Sequence, residues 1–161
     1  MCHLGFQPGE MNLLGFSLGA HIAGFTGKNL QIAGYPNIGQ ITALDAALPL
    51  MYPPMCLDCR HLEPTDADMV WAIHTCGGTY GVLEPTAQVD IYPNHGTPIQ
   101  KGCPIIPEKF DVSQIMPTHR CNHDMSWKLY ADAIMHPNSQ ICVRCDSSLS
   151  FSANYCANNT R

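Results

Sequence analysis

The chain has 161 residues and a mass of 17.7 kDa, the size of a single domain. Apolar residues make up 45% and charged residues only 13%, which excludes a disordered charged tail and leaves material for a real core. Eight Lys and Arg against 13 Asp and Glu give a formal charge of −5 with no basic cluster, which argues against nucleic acid or an anionic membrane surface as partner. Nine cysteines suit an oxidising compartment, and their odd number leaves at least one thiol without an internal partner. The opening Met1-Cys2-His3-Leu4-Gly5 has neither a basic stretch nor an apolar one of signal-peptide type. Secretion is therefore expected only with a start further upstream.

In chain order, Gln7-Pro8-Gly9 signals a turn, and Met11 to Phe16 reads as a strand. Leu18 to Lys28 reads as a helix in spite of its small residues. Ile38 to Leu44, Ala67 to His74 and Gln88 to Tyr92 read as further strands. Met125 to Ile134 reads as a helix, because Trp127, Tyr130, Ala131 and Ile134 fall at i, i+3, i+4 and i+7. Stretches 45–66 and 93–121, rich in Pro, Cys and Gly, read as loops too long to be mere connectors. Met11 to Gly27 and Asn29 to Leu44 are free of formal charge, but their glycines, Asn12, Ser17 and His21 speak against a membrane span. Buried parallel strands, apolar on both faces, explain them better. Strands interleaved with helices predict an α/β architecture with a mostly parallel sheet.

Gly15-Phe16-Ser17-Leu18-Gly19 matches G-x-S-x-G. The match alone is weak evidence, but an apolar strand runs into it and a helix runs out of it, the context of a nucleophile elbow. Such a turn presents Ser17 Oγ at the carboxyl edge of the sheet, and the Leu18 N–H, at the helix N-terminus, is placed to support a developing oxyanion. A serine hydroxyl needs a base to take its proton and an acid to orient that base, in the chain order Ser, Asp or Glu, His. Asp45, at the end of Ile41-Thr42-Ala43-Leu44, fits the acid. Eight histidines compete for the base: His3, His21, His61, His74, His95, His119, His123 and His136. Spacing does not choose among them. His123 stands out because it follows Cys121 and opens the amphipathic helix, where a disulfide would fix a loop-borne imidazole.

The stretch Asn12-Leu13-Leu14-Gly15-Phe16-Ser17-Leu18-Gly19-Ala20-His21-Ile22-Ala23-Gly24 resembles the elbow of the animal pancreatic-lipase family of secreted triglyceride lipases and phospholipases A1. The resemblance continues through Gly39-Gln40-Ile41-Thr42-Ala43-Leu44-Asp45, Thr65-Asp66-Ala67-Asp68, Ile73-His74-Thr75, Val89-Asp90-Ile91-Tyr92-Pro93-Asn94, Gly102-Cys103 and Cys121-Asn122-His123. It implies an α/β-hydrolase fold with Ser17 as nucleophile, Asp45 as acid and His123 as base. It also implies a lid loop over residues 103–121 closed by Cys103 to Cys121, and a second disulfide, Cys145 to Cys156. Ile105, Ile106, Phe110, Val112, Ile115 and Met116 in that lid would meet a lipid surface. By position, Asp58, Glu63 and Asp66, with the carbonyl of His61, form a candidate calcium set, the oxygen donors a hard cation takes; otherwise no cofactor is implied.

Three departures carry expectations. Ala46 stands where the family has Pro, which leaves the turn at Asp45 less stiff. Extra residues after Gly27 are expected to form a surface loop. The family's early strands, its leader and the loop donating a second oxyanion N–H have no counterpart, so residues 1–161 read as the carboxyl part of one catalytic domain. The strand at Met11 to Phe16 is then an open sheet edge.

Cys56-x-x-Cys59 and Cys142-x-x-Cys145 are spaced too far apart for a zinc ribbon and read as disulfide cysteines, with Cys56 or Cys59 to Cys76 a plausible bond. His21 and His74 read as core histidines, Trp127 and Tyr130 as core, and Asn158-Asn159-Thr160 as a glycosylation sequon; Asp90 competes with Asp45 for the acid role, but the resemblance implies a structural strand position for it. The leading function is a secreted serine ester hydrolase acting on lipid esters at a lipid–water interface. The alternatives are a non-enzymatic lipid-binding, yolk-type relative and an inactive fragment.

Overall fold

The computed structural model describes residues 5–57, 59–105, 112–153, 155–156 and 159, with the backbone alone described at 112–116, 148 and 151. Two compact units divide the chain at Trp127 and Lys128.

The first unit is built on a four-stranded parallel sheet in the order β1 (Asn12–Phe16), β2 (Gln40–Leu44), β3 (Met69–Ile73) and β4 (Val89–Ile91). The central strand β2 is buried from Ile41 to Leu44 on both faces, which is why its sequence lacks alternation. Ile41, Ala43, Val70 and Ala72 join Ile38, Leu62 and Val82 in the core. The register aligns Phe16 with Leu44, Leu44 with Ile73, and Ile73 with Ile91. Ser17, Asp45, His74 and Tyr92, each the next residue, therefore stand along one carboxyl edge, where open α/β sheets place their sites.

Helix α1 (Leu18–Ile32) follows β1. Its buried residues are small: Ala20, Ala23, Gly24 and Gly27, with His21. The glycines cost helix propensity but let the backbone lie close to the 62–66 segment. The extra residues after Gly27 do not form the expected loop. They prolong the helix to Ile32, where Gly34 at φ +79° supplies the left-handed stop.

Helix α2 (Val112–Met135) starts thirteen residues before the expected Met125 and contains Pro117. Pro, Cys and Asn gave the region a loop-like composition. Among its described side chains in the first unit, the buried ones are polar: Thr118, Asn122, His123 and Ser126. The stripe at 118, 122 and 126 has helical period but is invisible to a search for apolar residues. Trp127, expected in the core, is 43% exposed, and Ile134 is exposed as well.

The second unit (Lys128–Arg161) holds the end of α2, α3 (Ser148–Ser152) and the Cys145–Cys156 disulfide. Asp132 accepts hydrogen bonds from the Gln140 amide and the Ser139 hydroxyl and pairs with His136, and these contacts hold its carboxyl below the usual range.

The Cys103–Cys121 disulfide lies in the first unit. Cys56 bonds Cys59, three positions on, rather than Cys76, with their Cα atoms 5.5 Å apart. Cys76 remains a buried free thiol and Cys142 an exposed one. Among the described residues, no helix is long and apolar enough to cross a membrane.

Candidate active site

Ser17 sits between β1 and α1 at φ 55° and ψ −122°, a backbone conformation that a side-chain-bearing residue rarely adopts. Four contacts hold it there. Its N–H donates to the Leu44 carbonyl at 3.0 Å, and its carbonyl accepts from Ala20 N–H and, across the edge, from Ala47 N–H. The fourth is close approach: a Cβ on Gly15 would overlap the Gly19 carbonyl, so the turn exists only with glycine there. Leu18 opens α1, and its N–H belongs to the first turn, which has no intrahelical acceptor.

Asp45, also at positive φ (46°), is fully buried. Its Oδ1 accepts the N–H groups of Thr75 at 2.8 Å and Cys76 at 3.1 Å, and its Oδ2 lies 2.6 Å from His123 Nδ1. An imidazole that donates from Nδ1 to a carboxylate presents Nε2 as an acceptor. Thr75 ties the pair together, because its hydroxyl also donates to the His123 carbonyl at 3.4 Å. The missing proline after Asp45 is replaced by backbone bonds. Val82 N–H donates to the Ala46 carbonyl at 2.9 Å, and Ala47 bridges to Gly81.

His123 is helix-borne rather than loop-borne: it lies inside α2, which the Cys103–Cys121 disulfide fastens two residues earlier. Its ring packs on Phe16 at 4.6 Å and meets the edge of Tyr80 at 5.6 Å. A network of buried amides holds the helix in register. Asn122 Oδ1 accepts Ile99 N–H and Gln100 N–H, while its Nδ2 donates to the Thr118 carbonyl. The Gln100 side chain donates to the carbonyls of Pro93, Thr97 and Thr75. Ser17 and His123 open on one cleft of about 280 Å³, completed by Leu18, Ala47, Pro49, Leu50 and Tyr80.

Among the other described histidines, His21 and His74 do not line this cleft. His21 is buried in α1; its Nδ1 accepts Leu62 N–H at 3.0 Å and its Nε2 donates to the Ala47 carbonyl at 2.9 Å. Burial holds it neutral by pushing its pKa down. His74 is buried between the Val82 carbonyl and Asp90, with its ring stacked on Tyr92. Burial, helped by the charge of Asp45, pushes the Cys76 thiol up. Tyr80, Gly81 and Gln100 fall in none of the stretches that carry the family resemblance; Thr75 and Asn122 do, without a role of their own there. The helical spacing of Asn122 from Thr118 and Ser126 is a further signal for it.

Of the candidate calcium ligands, Asp58 lies outside the described residues, as do the lid residues Ile106 and Phe110 and the sequon residues Asn158 and Thr160. Glu63 and Asp66 cap the short turn Pro64–Asp66 reciprocally. Asp66 Oδ2 accepts Glu63 N–H at 2.9 Å, and Oδ1 receives the Arg60 guanidinium at 2.6 Å. Burial lifts the Asp66 carboxyl above its usual range, which the Glu63 N–H and Arg60 only partly offset. Each Asp66 oxygen thus carries one hydrogen bond, which leaves a lone pair on each. No group of three or more His, Cys, Asp or Glu suited to a metal forms among the described residues.

A parallel sheet, a strained serine between strand and helix, and a buried Asp–His pair beside it define the chain as an α/β-hydrolase type of protein in partial form. Comparison with known proteins agrees. The family described as Lipase matches residues 1–161, and the chain belongs to that family. It is 36% identical to the hepatic triacylglycerol lipase of Oryctolagus cuniculus over 167 residues, covering 97% of this chain and 32% of that protein. The human hepatic enzyme is 36% identical over 91% of the chain and 31% of its own length. The pancreatic triacylglycerol lipase of Myocastor coypus is 34% identical over 95% of the chain and 35% of its own length. The chain thus spans about a third of the length of these curated relatives.

Proposed function

We propose that the protein is a serine carboxylic-ester hydrolase acting on lipid esters, with Ser17 as nucleophile, His123 as general base and acid, and Asp45 as the residue that orients the imidazole. The observation that carries this reading is the opening of Ser17 and His123 on one cleft, with His123 Nδ1 held on the buried carboxylate of Asp45. In the reaction, Ser17 Oγ attacks the acyl carbonyl while His123 Nε2 takes its proton, and the Leu18 N–H donates to the oxyanion. The tetrahedral intermediate collapses as His123 returns that proton to the leaving alcohol. Water, deprotonated by the same Nε2, then attacks the acyl-serine and releases the fatty acid. Asp45 stabilises the imidazolium at both stages.

The apolar lining supplied by Leu18, Pro49 and Leu50 supports an acyl chain as the bound group, and the relatives are named as triacylglycerol lipases. Triacylglycerol and the acyl esters of phospholipids, the latter by phospholipase A1 cleavage, share the required carbonyl. Three disulfides support an extracellular setting. A fluorophosphonate probe should label Ser17 in the full chain, and Ser17→Ala should abolish labelling and lower turnover of emulsified triacylglycerol or phosphatidylcholine by roughly 10⁴-fold. Lipid binding without ester turnover by the folded chain would replace this reading with that of a non-enzymatic lipid-binding relative. Calcium at the 58–66 loop would draw on Asp58, Glu63 and Asp66 with the carbonyl of His61. A rise in melting temperature on adding calcium chloride to the full chain supports such a site, and no rise removes it.

A further inference from the structure

We propose that the loop Pro49–Leu57 is an interfacial anchor that seats the mouth of the Ser17 cleft on a lipid surface; the proposal rests on the reading of that cleft as a lipid-ester site. Three observations carry it. From Ala46 to Leu57 the chain has no Asp, Glu, Lys or Arg, so nothing in the segment opposes entry into an apolar phase. Leu50, Met55 and Leu57 are 58%, 66% and 80% exposed, in a loop whose Tyr52 turns inward against the core. The outward face is therefore apolar by construction and not for want of an inner face to fill. Finally, the loop is continuous with the cleft, since Pro49 and Leu50 line it beside Ser17 and Leu18.

The backbone holds these side chains outward. Leu48 N–H donates to the Tyr80 carbonyl at 2.8 Å, the Tyr52 ring stacks on His61 at 4.6 Å, and the Cys56–Cys59 disulfide closes the far end. Pinned apolar tips reach the acyl boundary of a lipid layer without an ordering cost at the moment of contact. An ester drawn from that layer then enters the cleft past Leu50.

The test uses the full chain and phosphatidylcholine vesicles. Binding is read by vesicle sedimentation in a Ser17→Ala background, so that the vesicles are not digested. Met55→Asp and Leu57→Asp should each weaken partitioning about tenfold. With Ser17 present, the same two substitutions should leave hydrolysis of soluble p-nitrophenyl butyrate within about twofold of the parent, since neither residue lines the cleft. Leu57→Trp guards against misfolding of the charged variants: its added indole emission should shift to the blue on vesicle addition. Unchanged partitioning in both Asp variants, no blue shift, or an equal loss of soluble-ester activity overturns the anchor. If instead the parent binds vesicles through this loop but hydrolyses no ester, the anchor stands and the hydrolase reading fails.

Discussion

Gly81 lies so close to the Asp45 carboxylate that a Cβ on the glycine would overlap both carboxyl oxygens and the carbon between them. The two residues are brought together by the Ala47–Gly81 bridge and the Val82 to Ala46 hydrogen bond. Gly81 is therefore a positioning residue for the Asp45–His123 pair. Gly81→Ala should displace the carboxylate from His123, lowering kcat on a soluble ester by about 100-fold with a small change in KM. Overpacking should cost about 1–3 kcal/mol of stability as well. Wild-type kcat in a folded Gly81→Ala protein would show that the carboxylate's position does not matter.

Asn122 and Gln100 form the buried link between α2 and the loops at the sheet edge. Asn122→Ala leaves two backbone N–H groups without their acceptor. At about 1–3 kcal/mol for an unsatisfied buried group, the loss should move a urea midpoint clearly, and it should lower kcat because His123 is the next residue. A midpoint within error of the parent would mean that water replaces the amide.

His21 makes stability depend on pH. Burial lowers its folded-state pKa from the usual 6.5, so the folded protein resists a proton that the unfolded chain accepts. Its contribution is present in full above pH 6.5 and is lost as pH falls from there toward the folded value. Protonation would also turn Nδ1 into a donor facing the Leu62 N–H. Urea unfolding between pH 7.5 and 5 should show falling stability, with a flatter slope in His21→Gln, although that variant starts lower. An equal slope in both proteins would assign the dependence to other groups.

The two free thiols in the described residues differ in reach. Cys142 is exposed, whereas Cys76 is buried and its thiol pushed up. At pH 8, peptide mapping after a brief pulse of a disulfide reagent should find Cys142 modified and Cys76 intact until urea is added. Equal modification of both in native buffer would contradict the packing of Cys76 under Thr79 and the His119 carbonyl.

Reduction of Cys103–Cys121 should remove about 3 kcal/mol by the loop-closure estimate. Because the bond fastens α2 two residues before His123, soluble-ester turnover should fall with it. Retained activity in Cys103→Ala/Cys121→Ala would show that the amide network alone holds the helix.

Local patterns in the sequence were enough for the four strands, the elbow at Ser17 and the placement of Asp45 at a strand end. Each depends on neighbours in the chain: apolar runs, flanking glycines, a strand passing into a helix. The start of α2 was not legible, because its buried stripe of Thr118, Asn122 and Ser126 is polar and is filled by hydrogen bonds to distant loops. The partner of Cys56 was not legible either, since pairing depends on Cα separation in space and not on spacing alone.

The sequence by itself determined the parallel sheet and the residue types at its carboxyl edge, because burial of apolar strands and the strain of the elbow are encoded within a few residues. Spacing did not choose among the eight histidines and the family resemblance pointed to His123; the contact of its Nδ1 with Asp45 exists only in the tertiary structure. That contact joins groups 78 positions apart, and its geometry is set by Gly81, Thr75, Gln100 and Asn122, whose roles exist only once the chain has closed on itself.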